Sequence, residues 1–144
     1  MRPASHRFAA LVVPAAALTG AVCVAHATTT VSGVNTVSVI ERDFRISAPK
    51  RVSNGNLLLR VTNKGPDNHE LLVFRTPSRR LPLRSDGLTV DEDDLRRFKR
   101  SSLEPGPPDS VRELRLHLQP GRYVLLCNMS GHFMAGMYAE LVVR

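Results

Sequence analysis

Between Cys127 and Met137 the chain sets a thiol, an imidazole and a thioether at even intervals, with four residues between Cys127 and His132 and four between His132 and Met137. Gly131 and Gly136 lie in this segment and allow backbone angles that other residues resist. Residues 122–126 run up to Cys127 as a strand, and residues 138–143 read as the next strand. One tight connection therefore carries three donor side chains. A second imidazole, His69, lies far upstream in Gly65-Pro66-Asp67-Asn68-His69-Glu70. Any fold that uses all four must bring distant parts of the chain to one point.

The strand pattern shows how. Residues 36–40 alternate, and residues 43–47 continue in the same style with Phe44 and Ile46 assigned to one face; together they read as a bent edge strand. Ser53-Asn54-Gly55-Asn56 is a turn. In residues 57–62, Leu57, Leu59 and Val61 take one face and Arg60 and Thr62 the other. Residues 69–74 are apolar on both faces, the mark of an interior strand, and His69 opens it on the side of Leu71 and Val73. Residues 111–118 alternate cleanly, with Leu114, Leu116 and Leu118 inward and Glu113, Arg115 and His117 outward. Tyr123, just after the Gln119-Pro120-Gly121 turn, suits a tyrosine corner that closes a Greek-key arch onto upstream backbone. The expectation is an all-β Greek-key sandwich with a short helical insertion. That helix is placed in the charged stretch 76–110. There Thr89-Val90-Asp91-Glu92 fits a capping box, acids precede bases, and Leu95 and Phe98 can dock. A calcium loop at Asp91–Asp94 is discounted, because the alternating oxygens and central glycine are missing.

The N-terminus reads as a targeting segment. Arg2 and Arg7 precede an apolar run over residues 8–24, and Ala25-His26-Ala27 offers a cleavage site, so residues 1–27 are expected to be a secretory signal peptide. An uncleaved anchor is the rival reading, and a lipoprotein is disfavoured by bulky Val22 before Cys23. Residues 28–35 read as a flexible lead-in and residues 36–144 as the folded domain. Cleavage would leave 117 of the 144 residues, enough for one core, and would take Cys23 with it. A lone Cys127 in an oxidising compartment excludes a disulfide scaffold and favours a buried or metal-bound thiol. Loss of Arg2 and Arg7 lowers the net charge from +7 to +5. The basic residues are scattered and aromatics are few, which argues against nucleic acid and for acidic protein partners or an anionic surface.

Two His and one Cys with a weak axial Met form an electron-transfer copper set. A structural zinc site would instead close with four Cys or His, and the chain left after cleavage has only His69, His117, His132 and one Cys. Met137 has the reach for the axial place; Met134 is too close to His132, and Met129 would have to fold back. On Cys127, His132, Met137 and His69, the segment from about residue 36 onward resembles the cupredoxin (blue copper) family, which includes plastocyanin and azurin. The resemblance implies one type 1 copper ion, held by His69, Cys127, His132 and Met137. It implies a one-electron carrier and not an enzyme, since His117 alone cannot build a second copper centre. It also implies an apolar docking patch at His132, supplied by Phe133, Met134 and Ala135. The Cys-to-His gap is azurin-like and the His-to-Met gap plastocyanin-like. Members often carry Asn after the first His; here Glu70 stands there, and Asn128 is the candidate for pinning the ligand loops and bonding the sulfur. Asn128-Met129-Ser130 also fits a glycosylation sequon, read as chance. The expected setting is periplasmic, extracellular or cell-surface, as a monomer with a redox protein partner and no membrane span once the signal is cut. Copper storage or delivery, and a metal-free adhesion or assembly sandwich, stay open as alternatives.

Overall fold

The computed structural model describes residues 33–76 and 78–144. The signal-peptide reading and most of the lead-in lie outside these residues. Among the described residues, no helix is long and apolar enough to cross a membrane.

Among the described residues nine strands form two sheets: β1 (Asn35–Arg42), β2 (Arg45–Ser47), β3 (Arg51–Val52), β4 (Gly55–Asn63), β5 (His69–Arg75), β6 (Lys99–Gly106), β7 (Val111–Leu118), β8 (Gly121–Leu126) and β9 (Tyr138–Val143). One sheet has the order β2-β1-β4-β7 and the other β3-β9-β8-β5-β6. β1 runs parallel to β4, and β4 runs antiparallel to β7. The alternating residues meet between the sheets: Val37 and Val39, Leu57, Leu59 and Val61, Leu71 and Val73, Leu114 and Leu118, and Leu125, Leu141 and Val143 are all buried there. The hydroxyl of Tyr123 donates to Gln119 O at 2.8 Å, the expected corner contact. His117 is exposed, as its place in the alternation requires.

β5 is interior, between β8 and β6, which is why its residues are apolar on both sides. Its outward residues Leu72 and Phe74 join Val124 and Leu126 in a second core, closed from outside by Val90, Leu95 and Phe133 with Leu81 and Phe98 packed against them. The charged insertion is thus a lid over the outer face of one sheet.

Three expectations need correction. First, the insertion contains no helix: residues 92–98 form turns, and β6 follows. Thr89 does not cap, because its hydroxyl bonds the Asp86 carboxylate at 2.9 Å. Glu92 does not reach back, because its carboxylate accepts from Lys99 and Asn128. Asp91 Oδ1 instead accepts the N–H groups of Asp93 and Asp94, as an N-cap does, but the segment is too short to propagate a helix. Leu95 and Phe98 do dock on the sandwich, and Lys99–Gly106 is a strand that was hidden by its polar composition. As an edge strand it tolerates Pro105. Second, the bent edge strand is two strands: β2 folds back antiparallel on Ile40–Arg42 of β1 and takes the outermost place in the sheet. Third, Phe44 and Ile46 do not share a face: Phe44 sits in the β1–β2 turn and is exposed, whereas Ile46 is buried.

Candidate metal centre

His69 opens β5 at one end of the sandwich, and Cys127 follows the last residue of β8 at the same end. The loop before His69 is shaped by Asn63, which is fully buried. Its Nδ2 donates to Asp67 O (2.7 Å) and Gly106 O (3.0 Å), and its Oδ1 accepts from Gly65 N–H (2.9 Å). The loop after Cys127 is wound by consecutive turns: His132 N–H donates to Met129 O, Ala135 N–H to Gly131 O, and Met137 N–H to His132 O. Gly131 (φ 80°) and Gly136 (φ 102°) take the left-handed angles this winding needs. Cys127 N–H then donates to Met137 O at 3.2 Å and ties the loop's two ends together.

The three nitrogen and sulfur donors meet. His69 Nδ1 lies 3.3 Å from His132 Nδ1, and Cys127 Sγ lies 3.5 Å from His132 Nδ1. All three donor atoms are within 4.8 Å of one another. Metal–nitrogen bonds of about 2.0–2.1 Å and metal–sulfur bonds of about 2.3 Å, at tetrahedral to trigonal angles, put neighbouring donors roughly 3.3–3.8 Å apart. His69 and Cys127 are fully buried, and His132 reaches the surface. Met137 is fully buried in the same core as Cys127. Met134 points out, 54% exposed, and Met129 is partly buried against the core.

Burial pushes His69 below its ordinary value, and the Asp43 carboxylate opposes it. Burial pushes the Cys127 thiol up to about 11, while backbone N–H groups of Met129 and Glu70 pull it down. A cation bound here displaces that proton, so binding is coupled to proton release.

Two residues that sequence reasoning left without a role enter here. Asp43 Oδ1 lies 2.8 Å from His69 Nε2. Glu70 accepts the N–H of Asn128 at 3.1 Å, so the residue after His69 does link the two ligand loops, through a carboxylate instead of an amide. Asn128 does not take the role expected of it. Its side chain accepts from Val90 N–H at 2.6 Å and donates to Val90 O and Glu92, which clamps the lid to the metal loop. No local pattern marks Asp43, which comes from a turn 26 residues before its partner. The docking patch also needs revision. Phe133 is buried in the second core, and the exposed apolar side chain beside Met134's loop is Phe44, whose ring stands edge-on to His132 at 5.2 Å.

With the geometry established, comparison with solved structures is informative. Auracyanin A, a "blue" copper protein from the green thermophilic photosynthetic bacterium Chloroflexus aurantiacus, superposes with a TM-score of 0.57 at 14% identity, over 78% of this chain and 100% of that one. The azurin Az-iso2 of Methylomonas sp. strain J gives 0.55 at 13% identity, over 78% and 99%. Rusticyanin from Thiobacillus ferrooxidans gives 0.51 at 16% identity, over 78% and 79%. The fold is that of the cupredoxins. No family model matches the chain, and no curated protein sequence matches it. At such identities the likeness establishes the cupredoxin sandwich and leaves the chemistry to the residues themselves.

Proposed function

We propose that this cupredoxin-fold chain is an exported one-electron carrier that holds one copper ion through His69, Cys127, His132 and Met137. The observation that carries the reading is the approach of His69 Nδ1, His132 Nδ1 and Cys127 Sγ from two loops 58 residues apart in sequence between His69 and Cys127. Copper supplies reversible one-electron chemistry when held by thiolate and imidazole. The chain's own contribution is rigidity. Asn63 fixes the first loop, turns and the Cys127–Met137 bond fix the second, and Glu70 joins them. Donors that cannot rearrange keep reorganisation small when the valence changes.

His132 is the exit. It is the donor residue that reaches solvent, beside exposed Phe44 and Met134. An apolar patch of this kind marks a docking site for a redox protein. The net positive charge favours an acidic partner and a rate that falls with salt. Export rests on residues 1–27, which read as a signal peptide, and places the carrier in the periplasm, outside the cell or at its surface.

Adding Cu(II) to the protein is expected to give an intense visible thiolate-to-copper band, and Cys127→Ser is expected to abolish it. A colourless wild-type titration would end this reading and leave the metal-free sandwich. A coloured protein that passes its copper readily to an apo acceptor, but cycles slowly, would indicate storage or delivery.

A further inference from the structure

We propose that Asp43 is a positioning residue for the metal site: its carboxylate fixes the tautomer and rotation of His69 and, through the ring, favours the oxidised ion. This rests on the copper reading above, but its central contact belongs to the chain alone. His69 is fully buried, so Nε2 must find its partner inside the protein. Asp43 Oδ1 at 2.8 Å is that partner. An ionised carboxylate only accepts, which assigns the imidazole proton to Nε2 and leaves the Nδ1 lone pair facing His132 Nδ1 and the Cys127 sulfur. The tautomer needed for metal binding is therefore set before any metal arrives.

The surroundings are built around this pair. A Cβ on Gly65 would fall 2.6 Å from Asp43 Oδ1 and 2.8 Å from His69 Nε2, so only glycine leaves room for the contact. Gly65 is held in place by its N–H bond to Asn63, itself tied to Asp67 and Gly106. Three separate segments thus converge on one hydrogen bond: the β1–β2 turn, the β4–β5 loop and the start of β5. Among the described residues the ionic partner of Asp43 is His69 alone, so no Lys or Arg drains its charge. Glu70, by contrast, spends its carboxylate on the backbone of the neighbouring loop. An imidazole that donates to a carboxylate is a stronger donor, and a nearby negative charge favours the more positive ion. The consequence is a ratio of Cu(II) to Cu(I) affinity higher than the site would have without the carboxylate.

The experiment compares wild type, Asp43→Asn and Asp43→Ala. Cu(II) and Cu(I) affinities are measured by competition with chelators selective for each ion, and the His69 tautomer is read by nitrogen-15 NMR of the metal-free protein. Asp43→Asn keeps an acceptor and removes the charge. It is expected to retain the Nε2–H tautomer while the ratio of Cu(II) to Cu(I) affinity falls roughly tenfold. Asp43→Ala is expected to lose the single tautomer and to weaken Cu(II) binding roughly 10–100-fold. The proposal is overturned if Asp43→Ala keeps one Nε2–H tautomer, or if Asp43→Asn leaves the affinity ratio within twofold of wild type. Should Asp43→Ala not fold, Asp43→Asn carries the decision through that ratio. Failure of the copper reading would show separately, as a wild-type protein that binds neither ion tightly; the metal-free NMR comparison would then still decide whether Asp43 positions His69.

Discussion

Glu41 and Asp43 lie two residues apart where β1 ends, and each carboxylate meets a basic side chain, yet the two contacts do different work. Glu41 ends the inward-facing row of β1, is fully buried, and pairs with Arg112 of β7. Asp43 sits in the following turn, keeps partial contact with solvent and pairs with His69. For Glu41 the cost of leaving water outweighs the attraction of Arg112, and burial lifts its carboxyl to about 7. Asp43 keeps 23% of its side chain in contact with solvent and lies 2.8 Å from the ring nitrogen it touches. The same chemical group is a structural liability at one position and an organising device two residues later. What separates them is access to water.

The sharpest way to break this contrast is to remove Arg112. Arg112→Ala leaves a carboxylate in the core without its cation, and a loss of about 3–5 kcal/mol in unfolding free energy is expected at pH 8, measured by urea denaturation. The double variant Glu41→Gln with Arg112→Met removes both charges and is expected to recover most of that loss. If Arg112→Ala unfolds at the wild-type urea midpoint, the pair is not buried as described.

The next effect is a pH dependence of opposite sign to that of an ordinary paired carboxylate. The folded value of Glu41, about 7, lies above its ordinary value of 4.5. The folded state therefore holds the proton more tightly. The stability this contributes is fully present below pH 4.5 and is lost as pH rises through about 7. The decline is on the order of 2–3 kcal/mol, from the size of the shift. Chemical denaturation between pH 4.5 and 8 checks it, and Glu41→Gln is expected to flatten the slope over that window. A slope unchanged by Glu41→Gln would place the titrating group elsewhere.

This pair also shows where sequence reasoning stops. The inter-sheet core was legible, because Leu57, Leu59, Val61 and the alternating leucines of β7 obey a period set by the strand itself. The convergence of His69, Cys127 and His132 was legible through the resemblance that their residue types and spacing bear to the cupredoxins. Glu41 occupies the inward phase after Val37 and Val39, yet a charged residue in that phase reads as a strand end unless its cation is known, and Arg112 lies 71 residues away. Asp43 and Glu70 were opaque for the same reason: their roles are defined by partners across the sandwich. The insertion failed differently. Its acids and bases satisfy a helix pattern locally, but Asn128 and Lys99 claim Glu92, and Asp86 claims Thr89. Tertiary and turn hydrogen bonds outcompete a nucleus that few residues could extend.

A smaller effect is expected on the Asp43 side of the comparison. Gly65→Ala inserts a methyl group against Asp43 Oδ1 and His69 Nε2, one of them a buried imidazole that cannot move away freely. Overpacking of this kind costs roughly 1–3 kcal/mol. The loss in Cu(II) affinity is expected to exceed what a global loss of stability would produce, because the displaced ring is a proposed ligand. Parallel thermal melts of the metal-free protein and chelator competition separate the two. Equal, small changes in both would mean that the loop relaxes and the pair is not tightly built.

The smallest effect on stability belongs to Phe44, the neighbour of Asp43 that faces the other way. Its side chain is 47% exposed, so Phe44→Ala forfeits only part of an aromatic burial and is expected to cost less than about 1.5 kcal/mol. Its edge-on contact with His132 lies where an electron is proposed to leave. Electron self-exchange, read from NMR line broadening in mixtures of oxidised and reduced protein, is therefore expected to slow several-fold while the visible band persists. An unchanged exchange rate would move the exit away from the Phe44 side of His132, towards Met134. The β1–β2 turn would then serve the buried imidazole through Asp43 and have no part in docking.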